Sequence, residues 1–234
     1  MDYNFLDIIA AIKGKKFDEF ASTVKSGNLD VNLKDTQYGM TALSFAVETS
    51  ELDLVNKIKW IKLLVSLGAD VNTKTNKGIT PMLMAILKED TEIMKYLAEV
   101  GVDIHLRDNE DGKTLIFFAA QLGKTESIKC LVSLGVDVNS KDNNGFTPIF
   151  SATKTEAIKC LVDLGADVNA KMINGGTPVH MAISQNNVEV LKCLKSLGAD
   201  INAKTNDGKT PLSMGIEFGD VPESVDWLKA NGGV

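Results

Sequence analysis

One short phrase recurs along the chain and restricts the possible fold more than any other feature. A glycine followed two residues later by threonine occurs at Gly39, Gly78, Gly112, Gly145, Gly175 and Gly208. The intervals between these glycines are 39, 34, 33, 30 and 33 residues. Self-similarity at such a period indicates an array of repeated supersecondary units, each contacting its neighbours.

Each copy of the repeat predicts two helices joined by a tight turn and followed by an extended loop. In "TESIKCLVSLG" (125–135) the apolar residues have the i, i+3, i+4 spacing of an amphipathic helix, and the final glycine is a helix stop. Thr147 and Pro148 then open the next helix as N-cap and first helical residue.

The loops between the helices are rich in aspartate and asparagine, which raises the possibility of a calcium site. A calcium loop that began at Asp137 would need an oxygen ligand at its fifth position and a bidentate glutamate at its twelfth. Those positions hold Lys141 and Pro148. The loop oxygens are therefore predicted to accept hydrogen bonds from backbone amides, and the segment is predicted to be a connector.

The phrases "TPVHMA" (177–182) and "GADVNAK" (165–171) resemble the signatures of the ankyrin repeat family. The resemblance covers nearly the whole chain. It implies an all-α fold, an ankyrin-repeat solenoid of about seven stacked helix–turn–helix units with β-hairpin finger loops. It also implies a protein-recognition scaffold that holds its partner by the fingertips and the first helix of each pair.

The chain is predicted to be a single domain over residues 1–234. The predicted repeats are an N-terminal cap (1–37), five internal repeats (38–76, 77–110, 111–143, 144–173 and 174–206) and a C-terminal cap (207–234). Charged residues between the apolar positions of the first repeat favour a cap, because terminal repeats need a polar outer face. Asp220 and Glu223 predict a capping box for the last helix. Both ends resemble caps, so we expect a complete protein.

Two repeats depart from the regular length. The repeat that begins at residue 38 has six extra residues between Thr41 and Gly68, and the repeat that begins at residue 144 has three fewer than its neighbour. Insertions in repeat arrays fall in loops and often at binding faces. Neutral drift in a tolerant surface loop explains them equally well.

The charge of the chain argues against nucleic acid as a partner. The net charge is −6, and the cations are 24 lysines and the single Arg107, whereas nucleic-acid binding requires a basic stripe. Apolar runs such as "LIFFAA" (115–120) are too short to span a membrane. The first residues lack the basic region of a signal peptide. A cytoplasmic protein is expected, although secretion without a leader remains open.

The cysteines and histidines do not form a predicted catalytic or metal site. Cys130, Cys160 and Cys193 occupy one repeat-equivalent position, where a buried apolar residue is expected. His180 stands at the helix-opening position, and His105 replaces a loop asparagine. Neither histidine has a cysteine or a second histidine at ligand spacing. We therefore predict no enzyme activity, no metal and no cofactor.

Two functions from different classes remain. The first is a module that binds an unidentified partner protein, and the second is a structural or self-associating spacer. A monomer is expected in preference to a homo-oligomer. The resemblance places the partner-binding residues at the fingertips and on the first helices, where the slots hold Tyr38, Met40, Ile79, Leu87, Lys88, Lys113, Gln121, Leu122, Phe146, Gln185, Lys209 and Phe218.

Overall fold

The computed structural model describes residues 5–27 and 29–234, which fold into 14 helices without a strand. Residues 1–4 and 28 of the predicted N-terminal repeat lie outside this description. The described residues up to Asp103 form one compact unit, and those from Ile104 onward form a second. The division falls inside the repeat predicted for 77–110, and the single-domain assignment stays a prediction.

The first unit contains three helix pairs. Its first helices pack in a row, α1 on α3 and α3 on α5, and α2 packs on α4. Its helices are α1 (Phe5–Lys13), α2 (Phe17–Lys25), α3 (Ala42–Glu48), α4 (Leu54–Ser66), α5 (Pro81–Lys88) and α6 (Thr91–Glu99).

The second unit contains four helix pairs arranged in the same way. Its first helices pack in sequence order, and so do its second helices. Its helices are α7 (Leu115–Leu122), α8 (Thr125–Ser133), α9 (Pro148–Ser151), α10 (Thr155–Asp163), α11 (Pro178–Ser184), α12 (Val188–Ser196), α13 (Pro211–Phe218) and α14 (Pro222–Ala230).

The first helices after α1 begin at the predicted threonine N-caps, but not every threonine makes a capping bond, and Thr114 before α7 makes none. Thr80 and Thr210 accept hydrogen bonds from the amides three residues later, at 3.2 Å each. Such a cap satisfies an amide that has no partner inside the helix. Thr147 occupies the same N-cap position before α9, but its side chain makes no capping bond. The prediction for Thr147 was therefore correct in position and wrong in the bond.

The loop carboxylates accept backbone amides, as predicted. Asp142 Oδ1 accepts the amides of Asn144 and Phe146 at 2.8 and 2.9 Å. A backbone hydrogen bond from the Asp142 amide to the Phe146 carbonyl, 2.9 Å long, closes this finger. The described fingers are thus hairpin turns closed by backbone bonds, and they lack the paired strands that a β-hairpin would have.

One asparagine in each of several connectors bridges to the next repeat. Asn139 donates from Nδ2 to the Gly165 carbonyl and accepts the Asp167 amide at Oδ1, both at 2.9 Å. The two atoms of one amide thereby match one acceptor and one donor of the following turn. The same pair of bonds is made by Asn32, Asn169 and Asn202.

The two length changes fall mainly in helices. Helix α4 has 13 residues, whereas each other second helix has nine, so most of the insertion adds a helical turn. Asp53 starts that turn by accepting the Asn56 amide at 2.9 Å. Helix α9 has only four residues, so the deletion removes a turn from a first helix.

The last helix does not use its predicted capping box. Helix α14 begins at Pro222 after Val221, and no side chain caps it. Glu223 instead accepts a hydrogen bond from the side chain of Asn186. The prediction was wrong because Pro222 shifts the helix start, which places Glu223 at the second helical position, too near the start to close a capping box.

Candidate partner-binding surface

An open groove of about 790 Å³ lies in the first unit between α1, the loop that precedes α3, and α3 itself. We call this loop (34–40) the first finger, and the cavity the α1–finger groove. Its apolar lining side chains are Phe5, Leu6, Ile9, Leu33, Tyr38, Met40 and Phe45. Ligand pockets in proteins commonly have volumes of about 300–1,000 Å³ and mostly apolar walls.

Helix α1 forms one wall because it is apolar on two faces. Ile8 and Ile12 are fully buried, whereas Leu6 on another face is 75% exposed. Phe5 and Ile9 are half-buried beside it. The sequence predicted this helix only as a cap, and its exposed apolar residues were not among the predicted contact residues. Their signal was the phrase "NFLDII" (4–9), which has more apolar residues than one buried face needs.

The first finger forms the opposite wall and holds Tyr38 in an exposed position. Asp35 accepts the amides of Tyr38 and Gly39 at Oδ1 and that of Met40 at Oδ2. Gly39 has a φ of 67°, and a side chain there would collide with Asn76 of the next finger. Tyr38 is 54% exposed although its backbone is fixed. A rigid backbone with an exposed aromatic ring favours recognition at low entropic cost.

The two ends of the groove differ in charge. At the first finger Lys34 lines the groove, and its Nζ donates to the Lys74 carbonyl at 3.0 Å. At the carboxyl end of α3, Glu48 lines the groove and lies 3.7 Å from Lys88 Nζ. The carboxylate at that end is therefore paired with a cation.

The predicted residues of the first unit separate into two sets. Tyr38 and Met40 line the α1–finger groove. Ile79 is half-buried in the loop that precedes α5 (74–79), which we call the second finger, and its carbonyl accepts the Thr75 amide at 3.0 Å. Leu87 is 37% exposed at the end of α5, next to Lys88. The groove therefore contains two of the five predicted residues of this unit.

The predicted residues of the second unit lie at fingertips and helix ends. Phe146 packs edge-to-face on Phe150 with centroids 5.1 Å apart, and it is half-buried. Lys113 pairs with Asp111 at 2.7 Å, and hydrogen bonding to Asp111 raises the pKa of Lys113. Lys209 is half-buried and pairs with Glu217 at 2.5 Å. The remaining predicted residues of this unit are exposed, and they are Gln121, Leu122, Gln185 and Phe218.

The short helix α9 changes the surroundings of two of these residues. Leu122 ends α7 and Gln185 follows α11, and both neighbouring helices are longer than α9. Lys154 lies against the end of α7, because its side chain lies over Gly123 and its Nζ donates to the Leu122 carbonyl at 3.4 Å. Leu122 remains 38% exposed.

The cysteines occupy core positions, as predicted. Cys130, Cys160 and Cys193 are free, and each is at most 7% exposed. Burial raises the pKa of the Cys160 and Cys193 thiols. A higher pKa disfavours the reactive thiolate.

Within the described ranges, no group of three or more His, Cys, Asp or Glu residues could hold a metal ion. No helix in that part of the chain is both long enough and apolar enough to cross a membrane.

The chain belongs to the ankyrin repeat family. The family model described as "Ankyrin repeats (3 copies)" matches residues 8–108, 100–172 and 152–233. Ankyrin repeats are generally protein–protein interaction modules, and the family is typically non-catalytic.

Three relatives show how widely such repeats occur. The chain is 32% identical over 109 residues to the BRCA1-associated RING domain protein 1 of Caenorhabditis elegans, covering 46% of the chain and 14% of that protein. It is 31% identical over 120 residues to the human transient receptor potential cation channel subfamily A member 1, covering 51% of the chain and 10% of the channel. It is 39% identical over 56 residues to the putative ankyrin repeat protein FPV219 of fowlpox virus, covering 24% of the chain and 13% of that protein.

Proposed function

We propose that this chain is a non-catalytic recognition module that binds a partner protein through the α1–finger groove. The observation that supports this is the exposure of bulky apolar side chains on a rigid frame, with Leu6 at 75% and Tyr38 at 54%. Tyrosine, the residue type of Tyr38, is enriched among the residues that contribute most to binding energy.

Each unit, taken by itself, has further exposed predicted residues that we propose as contact residues. In the first unit these are Leu87 and Lys88 at the end of α5. In the second unit they include Leu122 and Phe218. Because the cysteines are free thiols, a reducing compartment such as the cytoplasm is the proposed location.

The proposal is tested with the variant Tyr38→Ala/Met40→Ala. Both side chains line the groove and neither is buried, so the melting temperature should stay close to that of the parent, with a loss within roughly 0.5 kcal/mol per site. Proteins captured from a lysate of the source cells by the parent should be lost from the variant. Ile173→Ala is the matched control, since Ile173 is a fingertip residue of the second unit and is 71% exposed.

The result that would contradict the proposal is equal capture by the parent and the groove variant at equal stability. Sedimentation of the purified chain tests the self-associating alternative in the same samples. A dimer that the groove variant disperses would assign the groove to a second copy of the chain, and would replace the proposed partner.

A further inference from the structure

We propose that the partner segment held by the α1–finger groove is acidic and carries its carboxylates beside two or three bulky apolar side chains. This inference rests on the proposed function, because it specifies the chemistry of the partner at the same groove. The observation that supports it is a local excess of positive charge at the finger end of the groove, in a chain whose net charge is −6.

Three lysines and one aspartate lie in the first finger and in the second finger (74–79). Lys34, Lys74 and Lys77 are exposed, and none of them lies within 4.0 Å of a carboxylate in the described residues. Asp35 is the one local carboxylate, and its two oxygens accept three backbone amides of its own finger. The positive charge is therefore exposed, and the local negative charge is directed into the loop.

The lysines adjoin the apolar wall. Lys34 lines the groove itself, and its Nζ lies 3.0 Å from the Lys74 carbonyl. Lys77 follows Asn76, whose amide donates to the Tyr38 carbonyl at 2.8 Å. The wall of the groove that carries Tyr38 therefore adjoins lysine residues of both fingers.

The other end of the groove gives the bound segment a direction. Glu48 pairs with Lys88 at 3.7 Å, and Glu51 pairs with Lys13 at 2.7 Å. Those cations are paired and offer less to an acidic ligand. Complementary charge at the rim of an interface sets orientation and association rate. The carboxylates of the partner should therefore face the fingers, with its apolar side chains between α1 and α3.

The test uses the full chain and short fluorescent peptides in which leucines and a tryptophan stand next to glutamates. One control peptide replaces the glutamates by lysines, and another replaces the leucines by serines. The parent should bind the acidic apolar peptide at least about tenfold more tightly than either control. Raising the salt concentration from roughly 0.1 M to 1 M should weaken that binding, because exposed charges are screened.

The variant Lys34→Glu/Lys74→Glu/Lys77→Glu should weaken binding of the acidic peptide by about tenfold or more. Lys171→Glu/Lys204→Glu is the matched control, because these lysines occupy the position of Lys74 in connectors of the second unit. That control should change the affinity less than about twofold. Lys77→Glu alone should weaken binding measurably, and it serves as the test if the triple variant fails to fold.

Several outcomes would overturn this inference. Equal binding of the glutamate and lysine peptides, both lost in Tyr38→Ala/Met40→Ala, would remove the acidic partner and leave the proposed function intact. Binding of every peptide that is insensitive to that groove variant would contradict the proposed function as well. Preferential binding to phosphatidylserine vesicles or to oligothymidylate, abolished by the triple lysine variant, would assign the basic edge to a lipid surface or to nucleic acid.

Discussion

His180 joins two parts of the second unit through opposite edges of one imidazole ring. Its Nδ1 accepts the Thr177 amide at 3.2 Å, which requires that this nitrogen carry no proton. Its Nε2 lies 3.2 Å from the Lys209 carbonyl and is therefore the donor. The residue is 1% exposed, and burial lowers the pKa of the ring. The fold thus selects the neutral form with the proton on Nε2.

This geometry predicts that acid destabilises the protein through His180. The folded pKa lies below the ordinary value of about 6.5, so the unfolded chain binds the proton first and unfolding becomes easier as the pH falls through about 6.5. Melting temperatures at neutral and mildly acidic pH measure the effect.

His180→Ser is the matched control for this pH effect. Ser213 is the third residue of α13, as His180 is of α11, and it forms the same reciprocal cap with Thr210. The variant should lose roughly 1 kcal/mol from the missing bond to Lys209, and its stability should change less between the two pH values. An equal pH dependence in both proteins would exclude His180 as the origin.

At the scale of elements, the extra turn of α4 provides a cap for α3. Lys57 lies in that turn, is 8% exposed, and donates from Nζ to the Val47 carbonyl at 3.4 Å. Helix α3 ends at Glu48 and continues into extended backbone at Thr49 without a glycine stop. A lysine at a helix C-terminus satisfies a carbonyl and interacts favourably with the helix dipole. Burial lowers the pKa of Lys57.

Lys57→Met should therefore lower the free energy of unfolding by about 1–2 kcal/mol, because it keeps most of the apolar stem and removes the donor. Lys59→Met on the same helix is the control, since Lys59 is exposed, and it should stay within roughly 0.5 kcal/mol of the parent. Denaturant unfolding measures both. A Lys57→Met protein as stable as the parent would show that the bond contributes little.

The length changes show which parts of an element could be predicted from the sequence. The repeat register located both changes correctly, because it fixes where each copy begins and ends. It could not distinguish a longer turn from a longer helix, and Asp53 was the missed signal, as an N-cap that starts α4 early. The shortening of α9 could not be foreseen, because the three residues could have left either the helix or the turn.

The candidate site was predictable only on one wall. Tyr38 and Met40 follow from the repeat register, which places them at a fingertip. Leu6 and Phe5 were missed, because helical periodicity identifies the two apolar faces of α1 without indicating which one a neighbour covers. Exposure depends on packing between elements, and a single sequence does not contain that information.

At the scale of the whole molecule, we expect some substitutions to lower folding stability without changing partner affinity, and others to do the reverse. Leu161 is fully buried in α10 of the second unit, and repeats contact only their neighbours. Leu161→Ala should cost roughly 2–5 kcal/mol of stability, while its folded fraction binds the acidic peptide with the parental affinity. Tyr38→Ala should show the opposite pattern. A loss of affinity in Leu161→Ala beyond the unfolded fraction would show that the groove depends on the second unit.

The asparagine bridges between connectors have a consequence for how such a chain can change over generations. Each joint uses only one side-chain amide, one glycine carbonyl and one backbone amide, as at Asn169, Gly198 and Asp200. These groups recur at the four joints made by Asn32, Asn139, Asn169 and Asn202, so duplicating or deleting a repeat between two of them would recreate the same joint from different copies. The fingertip residues take no part in these bonds. A gene for this protein could therefore gain, lose or exchange recognition surface by recombination while the joints stay chemically unchanged.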